Sequence, residues 1–340
     1  MFGHLSILKK LCFFAVNLLT YSRVINAYKV FLSVLLFLCF TNYRLNAQTE
    51  TQFNHIILNQ AIVNPGAAGS SSKDLFNVMA LNRNQTAGFN GAPVTTTINI
   101  NGPLNLWGVN SGVSLSLFYD KAGFFNSPGF NLGYAYRMNV LKGSLGIGVS
   151  AGLLLSNLDP ETWIVPEGSN GDPAIPDQKT SKASFDAGIG VHYADDRWDV
   201  GISCLHLTQP AITNVETSSS LKQNFYLIAG YKFILPSNAD IVLKPSVVVS
   251  TDFASSTYSV NAQIDYKKRY WAGINYRFNN SVGAMVGVNL FSTLKIGYCY
   301  DYSTSALGKF SNGSHEIMLS YSFALIKQKG KQKYKSIRYL

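Results

Sequence analysis

The run Ser314-His315-Glu316 holds the three residue types of a hydrolytic triad, in which an acid orients a histidine that activates a serine. A β-barrel lipase of a bacterial outer membrane would need such a triad at the rim of its barrel. Successive side chains on a β-strand point to opposite faces, so Glu316 cannot orient His315 if this run is a strand. We therefore expect no catalytic residue here and predict that the chain is not an enzyme.

Candidate metal ligands are scattered along the chain. His55, His192 and His206 are far apart and lack the short spacings of metal sites, so we interpret them as ordinary surface or lumen histidines. The stretch from Asp159 to Asp172 has the composition of a calcium loop but not its ordered ligand positions. We expect no metal and no cofactor, and interpret this stretch as a solvated loop that can bind a partner.

The dominant pattern is an alternation of large apolar residues with small or polar ones, which is clearest in residues 129–155. One parity is apolar throughout, as in Phe130, Leu132, Tyr134, Tyr136, Met138, Leu145, Ile147, Val149, Ala151, Leu153 and Leu155. The other parity is small or polar, as in Asn131, Gly133, Ala135, Arg137, Gly146, Gly148, Ser150 and Gly152. A period of two predicts β-strands with one apolar face and one small face toward water.

The same alternation predicts about fourteen strands. They fall near 74–83, 93–101, 111–119, 129–138, 144–155, 183–194, 197–207, 222–234, 239–250, 257–266, 269–278, 282–291, 294–302 and 314–324. Each is near the roughly 9–11 residues that a tilted strand needs to cross a bilayer. Open edges are excluded in hydrocarbon, so the predicted fold is all-β, a transmembrane antiparallel β-barrel of about 14 strands. A soluble two-sheet sandwich is the alternative.

Aromatic and charged residues separate onto opposite parities of these strands. The aromatic residues near strand ends share the apolar parity and predict lipid-facing girdles: Tyr119, Tyr193, Trp198, Phe233, Tyr258, Tyr266, Tyr270, Phe278, Tyr302 and Phe323. The charged residues share the inner parity: Arg137, Asp186, His192, Asp199, Lys232, Lys244, Asp265, Arg277, Lys295, Asp301 and Glu316. Both signs occur, so we expect ion pairs across the lumen. Cys204 falls on the outer parity and Cys299 on the inner one, which disfavours a disulfide between them.

Charge is low overall and is concentrated at the ends of the chain. Charged residues make up 14%, and the formal net charge is +10. Of 28 basic residues, five lie in residues 1–47 and six in 327–340, which leaves 17 basic against 18 acidic residues between them. A near-neutral body gives no reason to expect nucleic-acid binding. Residues 1–47 are interpreted as a signal peptide cleaved after Ala47, with a retained anchor as the alternative.

An even number of strands places both barrel ends on one side of the membrane, which is the periplasmic side in outer-membrane barrels. The expected division is a periplasmic N-terminal segment at 48–73, the barrel at 74–326 and a basic periplasmic tail at 327–340 that contacts anionic headgroups, an acidic partner or only solvent. Short connections then fall on the periplasmic side and long ones, including 156–182, on the outer side.

Short motifs at both ends of the mature chain resemble the PorP/SprF family of the type IX secretion system. The opening motif consists of Gln52-Phe53, Asn64-Pro65-Gly66-Ala67-Ala68-Gly69, Arg83-Asn84-Gln85, Gly88-Phe89 and Ala92-Pro93. The closing motif consists of Ser314-His315-Glu316-Ile317 ahead of Leu319, Tyr321 and Phe323. Between them the resemblance rests on barrel patterning alone.

The resemblance implies an integral protein of the bacterial outer membrane, in contact with its lipids, that serves the type IX machinery. Its expected partners are periplasmic ring proteins and a secreted surface protein or adhesin, including adhesins used in gliding. We expect cargo contacts at 156–182 and ring contacts at the two ends. The sequence leaves open whether the chain is a core secretion component or a paralogue dedicated to one adhesin.

The opening motif also has a physical interpretation. Pro65 fixes one φ angle, while Gly66 and Gly69 permit conformations closed to other residues. The segment 48–73 is therefore predicted to fold tightly beneath or into the barrel and to plug or brace the lumen. The alternative function is a general porin or small-solute channel, because about fourteen strands leave an aqueous lumen if nothing fills it.

Overall fold

Fifteen β-strands among the described residues form one antiparallel sheet that closes on itself. The computed structural model describes residues 52–71, 75–88, 90–106, 108–158, 179–211, 220–235, 239–291, 293–309 and 311–324. The predicted signal peptide, most of the long loop at 156–182 and the basic tail lie outside these residues. No helix among the described residues is long and apolar enough to cross a membrane.

The strands follow one another around the sheet in chain order. They are β1 (Phe76–Asn84), β2 (Val94–Leu106), β3 (Val109–Ala122), β4 (Phe125–Val140), β5 (Gly143–Leu158), β6 (Thr180–Ala194), β7 (Trp198–Leu205), β8 (Asn224–Tyr231), β9 (Phe233–Ile234), β10 (Ile241–Thr251), β11 (Ser256–Tyr266), β12 (Tyr270–Arg277), β13 (Ser281–Leu290), β14 (Leu294–Ser303) and β15 (Ser314–Phe323). β1 pairs with β15 from Phe76↔Phe323 to Asn84↔His315, which closes the ring.

The wall has fourteen positions because β8 and β9 together form one of them. Both pair with β10, and they are separated only by Lys232, whose backbone N–H bonds to the carbonyl of Arg197. The predicted fold, a fourteen-stranded antiparallel barrel, is therefore confirmed. β2 to β6 are 13 to 16 residues long and exceed the predicted lengths, because their hydrogen-bonded ladders continue beyond the roughly 9–11 residues that cross a bilayer.

The outer face of the wall is apolar. Leu132, Val149 and Ile274 are each more than half exposed, as are many large side chains of the same parity. Tyr270 and Tyr302, two of the predicted girdle residues, are also more than half exposed. Such a surface is stable only against lipid, since a soluble protein rarely exposes a continuous apolar patch of this extent.

The connections define the two ends of the barrel. One end has short turns, such as 141–142 and 267–269, and the other has long connections, such as 159–179 and 206–223. Short turns are periplasmic in outer-membrane barrels, so we call the first the periplasmic end and the second the outer end. Phe76, which begins β1, and Phe323, which ends β15, pair with each other at the periplasmic end.

The inner face carries charges that pair along the wall, which differs from the predicted pairing across the lumen. Lys244 on β10 bonds to Asp265 on β11, and His192 on β6 lies 2.8 Å from Asp199 on β7. The pair of Arg83 with Asp301 joins β1 to β14, two positions away in the ring. Residues 52–71 stand between opposite sides of the wall and supply partners for Glu316, Asp199 and Arg277.

The two cysteines of the described residues are free thiols on opposite parities. Cys299 points inward and is fully buried. Cys204 has the predicted outward parity but is only 6% exposed.

Candidate functional site: the lumenal segment and its contacts with the wall

Residues 52–71, which we call the lumenal segment, lie inside the barrel and extend from wall to wall. The segment forms three 3₁₀ turns, Asn54–Leu58, Gln60–Ile62 and Pro65–Ala67. The first turn bonds to Glu316 on β15 and the third packs against Gly190 on β6, a strand six positions away in the ring of fourteen. Short helical turns satisfy backbone groups locally, which a buried segment without strand partners requires.

Glu316 holds the start of the segment. Its carboxylate accepts hydrogen bonds from the backbone N–H groups of Asn54 and His55, both at 2.9 Å, and lies 2.6 Å from Nδ1 of His55. The first N–H groups of a helical turn have no partner within the turn, so a carboxylate placed there satisfies them and favours the local dipole. The wall residue thus sets where the lumenal segment begins to turn.

A buried cluster of charges surrounds this contact. Arg83 donates to Glu316 at 3.1 Å and to Asp301 at 2.7 Å. The side chain of Asn54 links the cluster to the segment, since its Nδ2 donates to Asp301 at 2.8 Å and its Oδ1 accepts from Arg277 at 3.0 Å. Two arginines thus face two carboxylates. Removing one member of such a buried group leaves an uncompensated charge, which costs about 3–5 kcal/mol.

His55 is fixed on both sides of its ring. Its Nδ1 donates to the carboxylate of Glu316, and its ring meets Trp271 edge to face, with centroids 5.5 Å apart. Its Nε2 is buried and has no hydrogen-bond partner among the described residues. The predicted interpretation of His55 as an ordinary histidine therefore missed its role in anchoring the lumenal segment.

The motif Asn64-Pro65-Gly66 forms the third turn and attaches it to the opposite wall. Asn64 Oδ1 accepts from the backbone N–H of Gly66 at 2.9 Å, while its Nδ2 donates to the carbonyl of Val191 at 3.0 Å. Gly69 has φ +72°, a conformation that favours glycine. The amide of Asn64 thus closes the turn and bonds it to β6 at once.

Glycines on the inner wall provide the surface on which this motif lies. A Cβ atom at Gly148 would stand 2.4 Å from the carbonyl carbon of Pro65, and one at Gly146 would stand 2.2 Å from the carbonyl oxygen of Gly66. A Cβ atom at Gly190 would stand 2.1 Å from Oδ1 of Asn64. The prediction that this small face is turned toward water is wrong here, since backbone packs directly on it.

Arg137 and Asn101 hold the end of the motif. Arg137 Nη1 donates to the carbonyl of Ala68 at 3.0 Å, and its Nη2 donates to Ser144 at 3.1 Å. Asn101 Oδ1 accepts from the backbone N–H of Gly69 at 2.6 Å. Because carbonyls at the end of a helical turn lack partners within it, the guanidinium stabilises the turn from outside.

Apolar side chains of the segment form a hydrophobic core inside the barrel. Phe53, Ile56 and Val63 are each at least nine-tenths buried. They pack with inward-facing wall residues, namely Met79, Leu81, Leu205, Tyr226, Ile228, Trp271, Met285, Cys299 and Met318. Complete burial of one such side chain contributes about 1.5–3 kcal/mol, so the segment is held by apolar as well as polar contacts.

Two cavities lie on opposite sides of the lumenal segment. The periplasmic vestibule, about 710 Å³, is lined by charged residues that include Arg137, Asp199 and Lys295. The outer cup, about 360 Å³, has a floor of segment residues that include Phe53 and Ile62. The segment therefore stands between the two spaces.

Gln85 and Pro93 of the opening motif lie at the outer end, away from the segment. The backbone N–H of Gln85 donates to the carbonyl of Pro93 at 2.8 Å across the β1–β2 connection. Ser314 Oγ accepts from the backbone N–H of Thr86 at 3.0 Å. These bonds order the connection, and the residues take no part in the charge cluster.

The residues of the closing motif divide between the two faces of β15. Glu316 points inward, whereas His315 points outward, where its Nδ1 lies 2.7 Å from the hydroxyl of Tyr298. Ile317 is more than half exposed on the outer face. Of the predicted motif residues, the structure brings Arg83 and Glu316 together and separates Glu316 from His315.

Two further histidines also pair with carboxylates. His192 shares Asp199 with the lumenal segment, because Gln60 Nε2 donates to the same oxygen at 2.7 Å. His206 lies 2.8 Å from Asp186 at the outer end. Among the described residues, no group of three His, Cys, Asp or Glu side chains is arranged to hold a metal ion.

A closed antiparallel ring with an apolar outer face and a polar inner face defines a transmembrane β-barrel of the bacterial outer-membrane class. The family described as "Type IX secretion system membrane protein PorP/SprF" matches residues 45–321. The chain therefore belongs to the PorP/SprF family, as its motifs predicted. It is an integral protein of the bacterial outer membrane.

Several solved outer-membrane barrels are similar at low identity. Omp33 of Acinetobacter baumannii is 9% identical, with 74% of this chain and 98% of that chain covered and a TM-score of 0.43. The CymD monoaromatic hydrocarbon channel is 10% identical, with 81% and 94% covered and a TM-score of 0.46. The Ralstonia pickettii toluene transporter TbuX is 10% identical, with 77% and 92% covered and a TM-score of 0.43. No curated protein matches the chain.

Proposed function

We propose that the chain is a non-enzymatic component of the type IX secretion system that assists export or surface attachment of a secreted protein, such as an adhesin used in gliding, through protein contacts. The observation that carries this proposal is the lumenal segment. It reaches from Glu316 to Gly190 and is held by buried charges, hydrogen bonds and apolar packing. A barrel filled in this way offers surfaces for binding and leaves little room for passage.

The two cavities give each end of the barrel a separate role in this proposal. The periplasmic vestibule, with Arg137, Lys232 and Lys295 among its lining residues, is open to periplasmic ring proteins. The outer cup is open to a secreted protein at the cell surface. The loop at 156–182 and the tail at 327–340 are proposed to add to these contacts, and the exposed girdle aromatics to contact outer-membrane lipids.

The absence of enzymatic activity is part of the proposal. The family and the fold are of non-enzymatic kinds. Glu316 is bonded to the lumenal segment and to Arg83, while His315 faces the opposite side of the strand. The acid and the base of the Ser-His-Glu run therefore have different partners, which argues against a triad.

Affinity purification from outer membranes in mild detergent, followed by mass spectrometry, tests the proposal. We expect type IX ring proteins or a large secreted protein to accompany the tagged chain. A matched preparation of an unrelated outer-membrane barrel with the same tag is the control. Recovery of the barrel alone, together with steady ion conductance in a planar bilayer, would favour the porin alternative and refute the contact role.

A further inference from the structure

The periplasmic turn between β11 and β12 consists entirely of basic residues, namely Lys267, Lys268 and Arg269. All three are exposed. By contrast, the periplasmic turn at 195–197 combines two aspartates with one arginine. We call residues 267–269 the basic turn, because they form a local excess of positive charge at this end of the barrel.

Hydrogen bonds fix the backbone of the basic turn. The N–H of Arg269 donates to the carbonyl of Tyr266 at 3.0 Å, and the carbonyl of Lys268 accepts from the side-chain amide of Asn289 at 2.8 Å. Lys267 and Lys268 have φ +51° and +54°, as the two central residues of a type I′ turn do. Such a turn favours asparagine and glycine, so lysines here are unusual. The basic side chains thus project from a rigid backbone.

The charged groups of the basic turn lie over tyrosines of the lipid-facing girdle. Tyr266 ends β11 and Tyr270 begins β12, and the two residues pair directly across these strands. Both side chains are exposed on the outer face of the wall. Nζ of Lys267 lies 5.3 Å from the centre of the Tyr266 ring, and Cζ of Arg269 lies 5.4 Å from the centre of the Tyr270 ring. These cation–π contacts hold two positive charges on the lipid side of the wall.

Nearby carboxylates offset only part of this charge. Asp240 is in the periplasmic connection before β10, and its carbonyl accepts from the N–H of Lys267 at 2.8 Å. Its carboxylate offsets one of the three positive charges. Asp265 points to the inner face, where it bonds to Lys244. Two positive charges remain, and an anion is their electrostatic complement.

The outer face beside the two tyrosines is apolar. Two residues from each tyrosine along its strand lie Ile264 and Ala272, which pair with each other. Ile274 follows on the same face and is 65% exposed. Residues two apart on a strand are separated by about 6–7 Å, so this apolar strip runs from the basic turn toward the bilayer core. A molecule that contacts both the turn and the strip has an anionic head and apolar chains.

We propose that the basic turn and its two tyrosines bind the headgroup of an anionic phospholipid in the periplasmic leaflet of the outer membrane. Lys267, Lys268 and Arg269 contact the phosphate group, and the acyl chains lie along the strip that contains Ile264 and Ile274. The position of two cations over lipid-facing rings favours a lipid over an acidic protein. The proposal does not depend on the secretion role.

Native mass spectrometry of the full-length protein in mild detergent tests the proposal by titration with single lipids. The probes are phosphatidylglycerol and phosphatidylcholine with identical acyl chains, which differ in the net charge of the headgroup. A basic residue at an anionic membrane surface contributes about fivefold in affinity. With two net positive charges, we expect the first phosphatidylglycerol to bind about 25-fold more tightly than the first phosphatidylcholine.

Four variants locate the site, with heat-modifiable electrophoretic mobility used to establish that each is folded. Arg269→Gln should lower the preference for phosphatidylglycerol about fivefold, and the triple variant Lys267→Gln, Lys268→Gln, Arg269→Gln should abolish it. Tyr266→Leu keeps an apolar girdle residue but removes the ring beneath Lys267, and should lower the preference about two- to fivefold. Arg197→Gln is the matched control, because it removes an arginine from another periplasmic turn and should leave the preference unchanged.

Equal binding of the two lipids by the unaltered protein would overturn the proposal, as would an equal fall in preference in Arg197→Gln and Arg269→Gln. An excess of glycerol 3-phosphate should not displace phosphatidylglycerol, because it has no acyl chains. Displacement would mean that the turn binds free phosphate and would contradict the lipid assignment. Loss of a captured periplasmic protein in the triple variant, with the lipid preference unchanged, would assign the turn to an acidic protein instead.

Discussion

A methyl group at Gly148 should detach the third turn of the lumenal segment. In Gly148→Ala the new Cβ would stand 2.4 Å from both the carbonyl carbon and the carbonyl oxygen of Pro65. These are backbone atoms, so no side-chain rotation relieves the overlap. The turn must move about 1 Å to restore ordinary van der Waals contact.

The size of the effect follows from the bonds that this movement breaks. Asn64 Nδ2 donates to Val191 and Arg137 Nη1 donates to Ala68, both at 3.0 Å. A shift of about 1 Å takes them beyond hydrogen-bond range, at about 1 kcal/mol each, and overpacking adds about 1–3 kcal/mol. The total is at least about 3 kcal/mol, which raises the detached fraction by at least about 100-fold.

Hydrogen exchange measured by mass spectrometry on the purified barrel reports this detachment. Peptides that cover residues 63–70 should exchange at least about 100-fold faster in Gly148→Ala, with the strands unchanged. Gly230→Ala is the matched control, because it adds the same methyl group to an inner-wall glycine whose Cβ would meet its nearest neighbour at 3.6 Å. Equal protection in Gly148→Ala and Gly230→Ala, with both barrels folded, would refute the packing argument.

Three further changes test other contacts of the segment. Glu316→Gln keeps the side-chain shape but removes the charge used in four hydrogen bonds, so hydrogen exchange around the first turn should rise by at least about 100-fold. The double variant with Arg83→Met should lose less protection than the sum of the two single variants. Arg137→Met should raise hydrogen exchange of the third turn by about tenfold and leave the first turn protected. An equal rise in hydrogen exchange at both turns would contradict separate anchoring. Phe53→Ala should destabilise the docked segment by about 3–5 kcal/mol. In a thermal unfolding experiment, the transition in which the segment detaches should move to a lower temperature, and an unchanged transition temperature would argue against a hydrophobic core in the lumen.

The barrel was predictable because its determinants are local. Alternation with a period of two is visible within each strand, and Leu132, Val149 and Ile274 face outward as their parity requires. The interruption at Lys232 was not predictable, because it depends on a hydrogen bond to the carbonyl of Arg197, the residue that precedes β7. Strand lengths were underestimated where ladders continue beyond the bilayer.

The site was predictable only in part because its contacts are long-range. Arg83 is near the end of the first strand and Glu316 is near the start of the last, so an antiparallel closure with strands of similar length would have paired them. The contact of Gly148 with Pro65 joins residues far apart in sequence. A glycine on the inner parity gives the same sequence pattern whether water or backbone covers it. The sequence therefore indicated that the motif was special without indicating where it lay.

Single-channel recording in planar bilayers tests most directly the claim that the lumen is closed and the chain acts by contact. The full-length barrel and a variant lacking residues 52–70 are compared, with heat-modifiable electrophoretic mobility used to establish that both are folded. We predict no steady conductance for the full-length chain and a stable open channel for the deletion. Equal conductance of the two folded barrels, or a stable open channel in the full-length chain, would contradict the account.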